Sequence, residues 1–327
     1  MAPLRRVGGL LVAAAAVLTA VACGASSAPA APGASSAPAA PGASAAAAPA
    51  VREVKDATGT LIKVPAEPKR VVTLTQEDLD AVLALGVTPV GITNGQGIDT
   101  PPAYLADKVK GIPVVGNLLQ PVIDKVVEAR PDLILAGDLQ DQQVLDQLRK
   151  VTPATVVTMA PADDWKLSFM GVGNALNKLD AARKVMADYD ARVAAAKARI
   201  RPAEVSIVRW NPQGPSWMEK RQFAGFVATD LGLTRPAAQD KDGTAHSMPL
   251  SLEALSDIDG EWLFVSTLTT DGEKTLDEVR RTPAFKELKA VRAGHVVPVN
   301  GSVWSTRGAP LAAGVVLDDL VKALTAA

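Results

Sequence analysis

From residue 68 onward, short β-branched or apolar runs alternate with stretches of helical spacing, and this alternation narrows the fold more than any other feature. Residues 71–74, Val-Val-Thr-Leu, read as a buried strand. Thr75, with Asp78 three places on, predicts the start of a helix through Leu85, and Gly86 suits the left-handed position that closes it. Further strands are expected at 89–92, 114–115, 133–135 and 154–157, with helices at 122–129 and 144–150 between them. No hairpin signal separates the runs, which argues for a mostly parallel sheet covered by helices.

Between 163 and 200 the pattern changes. Val172, Leu176, Leu179, Ala182, Met186, Tyr189, Val193, Ala196 and Ile200 recur every three or four residues, placing them on one helical stripe without an intervening proline. A single helix of some 30 residues, roughly 45 Å long, is expected there. Alternation then resumes, with strands at 205–210, 262–266 and 296–299. Helices are expected at 223–230, 252–255, 282–288 and 309–324. The sum is an α/β chain of two Rossmann-like lobes bridged by a single long helix. The expected division is 51–161 for the first lobe, 162–200 for the bridge and 201–327 for the second lobe.

Composition removes several alternatives. The 327 residues carry 34 Lys and Arg against 35 Asp and Glu, so no global basic field points to nucleic acid. One cysteine excludes an intrachain disulfide and a multi-thiolate metal site, and two histidines argue against a histidine-built one. That cysteine, Cys23, follows a basic start at Arg5 and Arg6 and an apolar run from Leu10 to Val21. The run is too short for the roughly 20 residues of a membrane-spanning helix, so 1–22 reads as an export signal. Ala20-Val21-Ala22 satisfies ordinary small-x-small cleavage, whereas the string from Leu18 to Gly24 resembles a bacterial lipobox, with Cys23 as the lipidated residue. Lipidation explains the position of the lone cysteine better. From 24 to 50 the chain contains only Gly, Ala, Ser and Pro, and a nonapeptide at 24–32 repeats at 33–41. Such a segment cannot offset its chain entropy by burial, so 23–50 is expected to be an anchored, disordered tether.

No catalytic motif is found. The sequence lacks a G-x-S-x-G elbow, a phosphate-binding G-x-x-x-x-G-K-[ST], an H-E-x-x-H pair and a G-x-G-x-x-G after a strand. Asp163-Asp164 and Asp318-Asp319 are adjacent pairs, which diverge on a helix and suit caps or surfaces. Aromatic and cationic placement is more informative. Trp210, Trp217 and Trp304 fall in or beside expected loops, and Arg209, Lys220, Arg221 and Arg307 lie near them. Indole faces with guanidinium or ammonium groups hold planar or bulky anions by stacking, cation–π contact and paired hydrogen bonds. Plugging the core is the alternative use of each tryptophan.

The sequence resembles the substrate-binding lipoproteins of bacterial ABC importers for ferric siderophores, haem and cobalamin. The carriers are 68–74 (Pro-Lys-Arg-Val-Val-Thr-Leu), 83–91 (Leu-Ala-Leu-Gly-Val-Thr-Pro-Val-Gly) and 128–135 (Glu-Ala-Arg-Pro-Asp-Leu-Ile-Leu). To these are added 250–255 (Leu-Ser-Leu-Glu-Ala-Leu), 290–299 and Trp304. The resemblance spans 52–324 and implies the class III periplasmic binding protein fold. It also implies capture of a ferric siderophore and delivery to the transmembrane subunits of an ABC permease. Each lobe of that family presents an acid to the permease. Here these are Glu253 and, where the family has a longer glutamate, Asp124. Some hydroxamate-binding relatives carry an arginine near the place of Leu118, so the cationic contacts here fall to Arg209 and Arg307. Gln76, Asn94 and Asn117, at first-lobe strand ends, join the expected ligand set. Iron would travel in its chelator, with no cofactor and no metal ligand from the protein. Ferric citrate or haem is the next reading, and haem would require His246 or Tyr104 to reach iron. An exported hydrolase and an envelope interaction protein are the readings from other classes. The resemblance implies a monomer, lipid-anchored to the outer face of the cytoplasmic membrane, whose stiff bridging helix allows only a small closure.

Overall fold

The computed structural model describes residues 50–161 and 163–325, so the expected export signal, Cys23 and the expected tether up to residue 49 lie outside the described residues. The first lobe begins with β1 (Val51–Lys55) and β2 (Leu61–Pro65), an antiparallel hairpin. Asp56 closes its turn by accepting from the amides of Thr58 and Thr60, each at 2.9 Å. The sheet proper contains β3 (Val71–Thr73), followed by α1 (Gln76–Ala84) and β4 (Ile92–Thr93). Next come β5 (Val114–Asn117), β6 (Gln120–Pro121) and α2 (Ile123–Glu128). Then β7 (Leu133–Leu135), α3 (Gln142–Val151) and β8 (Thr155–Val156) complete it. β3, β7 and β8 pair in parallel, β4 pairs in parallel with β5, and a parallel bridge between Val72 and Gly91 joins the two sets. Thr75 caps α1 as its spacing with Asp78 predicts, its Oγ1 accepting from the Asp78 amide at 3.2 Å.

The stripe over 163–200 forms two helices rather than the expected one of some 30 residues: α4 (Trp165–Ala175) and α5 (Leu179–Lys197). Asn177 stands between them at φ 57°. The Lys178 amide reaches back to the Gly173 carbonyl at 2.7 Å and that of Asn177 to Asn174 at 3.1 Å. This is the paired closure that a left-handed residue permits at a helix end. The helices cross closely at Gly173, where a Cβ would lie 2.6 Å from that of Ala182. The 19 residues of α5 form the bridge, about 28 Å long. Ala182 is buried in the first lobe's core, and Tyr189, Val193 and Ala196 are buried in the second's. Met186 packs against both.

The second lobe runs β9 (Val205–Asn211), β10 (Gly214–Trp217) and α6 (Phe223–Asp230). After a 3-10 helix (Leu252–Ile258) come β11 (Trp262–Thr267), α7 (Thr270–Val279), α8 (Pro283–Lys286) and α9 (Lys289–Arg292). β12 (Val296–Asn300), α10 (Gly301–Trp304) and α11 (Pro310–Thr325) end it. β11 pairs in parallel with β9 on one side and β12 on the other, while β10 folds back antiparallel on β9. The absence of hairpin signals was therefore misleading at β5–β6, and the hairpins β1–β2 and β9–β10 were not anticipated. The parallel α/β plan of both lobes holds. Among the described residues, no helix is long and apolar enough to cross a membrane.

Candidate functional site

The lobes meet where α1 leaves the end of β3. Parallel sheets expose their strand ends and the following helix starts at such edges, which is where α/β proteins place ligands. Gln76, the first residue of α1, reaches the second lobe. Its Nε2 donates to Ser302 O (2.7 Å), Thr306 Oγ1 (2.8 Å) and Arg307 O (3.0 Å). One turn along, Asp80 accepts from the Leu311 and Ala312 amides at 2.9 and 2.8 Å, in the first turn of α11, and from the Tyr104 hydroxyl at 2.8 Å. A carboxylate there satisfies amides that the helix itself leaves without acceptors.

Two cavities flank this contact, and Arg307 lines both. One is narrow, about 30 Å³, and walled by Met159, Trp165, Phe223 and Phe226, with Arg221, Gln222 and Thr244 at its polar side. The other, about 200 Å³, is lined by Gln76, Glu77, Gln96, Leu118, Leu119 and Asp138. The Arg307 guanidinium crosses from the second lobe to the first, with Nη1 3.3 Å from Asp138 Oδ2 and against the Met159 sulfur. Asp138 is placed by the turn after β7. Gly137 adopts φ 52°, and a Cβ there would lie 2.1 Å from Thr75 Cγ2. Its amide donates to Asp78 Oδ2 at 2.8 Å, and Thr158 donates to Oδ1 at 2.6 Å.

The first-lobe wall is unusually acidic for its burial. Burial pushes the Glu77 carboxyl up to about 8 and those of Asp78 and Asp80 up to about 6. Hydrogen bonds to Asp78 and Asp80 offset part of the rise, whereas neighbouring Asp78 and Asp138 add to it at Glu77. Burial thus favours the protonated form of Glu77, which lessens the repulsion that an anion in the cleft would meet. Gln76 Oε1 and Trp165 Nε1 are buried at the cavity walls without a hydrogen-bond partner among the described residues.

Of the residues expected in the ligand set, the structure brings Gln76, Arg221 and Arg307 into the cleft. Trp210 and Trp304 require correction: they are 1% and 2% exposed and plug the core. Trp304 stacks on Phe264 at 4.9 Å and donates to Asp319 Oδ2 at 2.9 Å, and Trp210 meets Phe285 edge-on. Arg209 turns away from both cavities to His246 Nε2, at 3.0 Å. Trp217 is also buried, under the Lys241 ammonium at 4.7 Å. Lys220 pairs with Asp240 on the rim at 3.1 Å. Asn94 donates to Asn117 at 2.9 Å, so these two occupy each other beside the Leu118 turn. Tyr104 is held by Asp80 and His246 by Arg209, which commits both residues that the haem reading requires. Glu77, Gln96, Asp138, Trp165 and Phe226 escaped the sequence reading. The signal available for Glu77 and Asp138 was position alone, just beyond the ends of β3 and β7. Asp124 and Glu253 stand exposed in the first turns of α2 and of the 3-10 helix.

Two lobes facing each other across a cleft lined by cations, acids, amides and aromatic rings are the architecture of a solute-binding protein. The chain belongs to the periplasmic binding protein family, whose sequence profile matches residues 71–300. It is a substrate-binding protein rather than an enzyme. It is 35% identical to the probable siderophore-binding lipoprotein YfiY of Bacillus subtilis, over 82% of this chain and 86% of that one. It is 28% identical to the putative ABC transporter substrate-binding lipoprotein YhfQ of the same organism, over 81% and 86%. The crystal structure of Staphylococcus aureus SirA complexed with staphyloferrin B superposes with a TM-score of 0.74 at 26% identity, covering 84% of this chain and 98% of that one.

Proposed function

We propose that this protein captures a ferric siderophore outside the cytoplasmic membrane and delivers it to an ABC permease for iron uptake. The observation that carries the reading is Arg307, a cation set between an aromatic cavity and a polar one at the seam of the two lobes. The family and the likeness to YfiY and YhfQ support it. A ferric chelate brings its own metal ligands, so the cleft has to supply charge, stacking and hydrogen bonds rather than iron coordination. Arg307 and Arg221 supply the charge, Trp165 and Phe226 the apolar wall, and Gln76 and Gln222 the amides. In this reading Cys23 carries the lipid, and Asp124 and Glu253 orient the loaded protein on permease arginines, since charged pairs at two separated points fix an orientation.

The test is a titration of the full chain with a panel of ferric chelates, read by quenching of tryptophan fluorescence and by thermal stabilisation. Binding of one chelate, weakened about 10- to 100-fold by Arg307→Gln, is the expected result. If no ferric chelate quenches or stabilises the protein, the reading is wrong, and turnover of an ester or peptide panel would replace it with hydrolysis.

A further inference from the structure

Both ends of the Arg307–Asp138 pair are fixed in place. Asp138 sits on the turn that Asp78 and Thr158 hold, and the Arg307 backbone is held by Gln76. The contact between the two side chains is looser. At 3.3 Å it is longer than the 2.8 Å of Lys166 with Asp230 or Arg192 with Asp318, and Arg307 keeps 38% of its side chain exposed. Arg307 also lines both cavities, neither of which reaches the roughly 300 Å³ at which small-molecule sites begin. Arg307 is the residue common to both linings, so a chelate too bulky for either cavity meets its guanidinium.

We propose that Asp138 is a specificity-determining residue: it is a resident anion on Arg307 that an incoming ligand has to displace, so the cleft admits polyanionic chelates and turns away small monoanions. This deepens the ferric-chelate reading and rests on it. A carboxylate approaching in the guanidinium plane makes two parallel hydrogen bonds, which are stronger than the single long contact Asp138 provides. A monocarboxylate gains only that one pairing and competes with an acid tethered beside its target at high effective concentration. A chelate with several carboxylates gains further contacts at Arg221, across the same cavity. The pair is partly buried but its single contact is long, so displacing it lowers the affinity of a polyanion by about three- to tenfold.

The test uses the full chain, wild type and Asp138→Asn, titrated with ferric citrate and with iron-free citrate, each with and without a large excess of acetate. Asp138→Asn is expected to bind both citrate forms about three- to tenfold tighter and to become sensitive to acetate, with wild type insensitive. Asp138→Ser repeats the experiment with a smaller neutral side chain, and the unfolding midpoints of both variants show that they are folded. Unchanged or weaker citrate binding in both variants overturns the proposal, as does equal acetate competition in wild type. So does failure of every form to bind citrate. If wild type binds no ferric chelate while iron-free citrate still tightens in Asp138→Asn, the ferric reading fails and the role of Asp138 stands.

Discussion

α1 carries Gln76, Glu77 and Asp80 at the seam, all at most 7% exposed, whereas the second-lobe rim at 219–221 and 240–242 carries its ion pairs toward solvent. There Lys220 pairs with Asp240 at 3.1 Å with side-chain exposures of 40% and 51%, and Arg221 lies 3.9 Å from Asp242. The amides of 219–221 donate hydrogen bonds of 2.9–3.1 Å to carbonyls within 241–245, so that rim depends on main-chain pairing more than on its salt bridges. The contrast teaches that the two walls respond to different perturbations. A buried carboxyl is governed by desolvation and by whether each oxygen has a donor. An exposed pair is screened by water and salt.

The largest effect is expected on the buried wall. Asp80→Ala removes the acceptor of two α11 amides and of the Tyr104 hydroxyl, and should cost about 2–4 kcal/mol in denaturant unfolding. A loss below about 0.5 kcal/mol would mean that the wall is not pinned there.

A second effect concerns pH. Glu77, Asp78 and Asp80 bind protons more tightly folded than unfolded, with values of about 8, 6 and 6 in the folded protein. Their contribution to stability is fully present below about pH 4, the unfolded carboxylate range. It declines as pH rises through 6 and is lost beyond 8. Unfolding midpoints should thus fall between pH 5 and 9, and Glu77→Gln should flatten the part above pH 6. A wild-type midpoint that stays level over that range would contradict the burial of Glu77.

The smallest effect belongs to the exposed wall. Lys220→Ala should change stability by less than about 0.5 kcal/mol, and added salt should shrink even that. A larger loss would show that the rim pair is structural and the contrast between the walls overdrawn.

Local signals in the sequence read correctly where they were strong. Thr75 with Asp78, the strand at Leu133–Leu135 and the helix Phe223–Asp230 formed as spacing and composition dictate. The break at Asn177 was hidden because Val172, Leu176, Leu179 and Ala182 keep helical spacing across it, and periodicity carries no information on a single φ. The tryptophan reading failed for a simple geometric reason. Arg209 and Trp210 are neighbours on β9, and successive strand side chains point to opposite faces. One went to His246 and the other into the core. Gln76 and Arg307 were legible from their places at a strand end and in a late loop. Glu77 and Asp138 were not, because an acid after a strand reads first as a helix cap.

The attachments of α1 to the second lobe have a mechanical meaning. The lobes are fastened at one place by α5, which runs through both cores, and at another by Asp80 on the start of α11. Gln76 adds a third stitch beside them along this spine, so the mouth can part only if α5 bends or these hydrogen bonds give way. Asp124 rides on one lobe and Glu253 on the other. The spacing between them is therefore set by how firmly the spine is stitched.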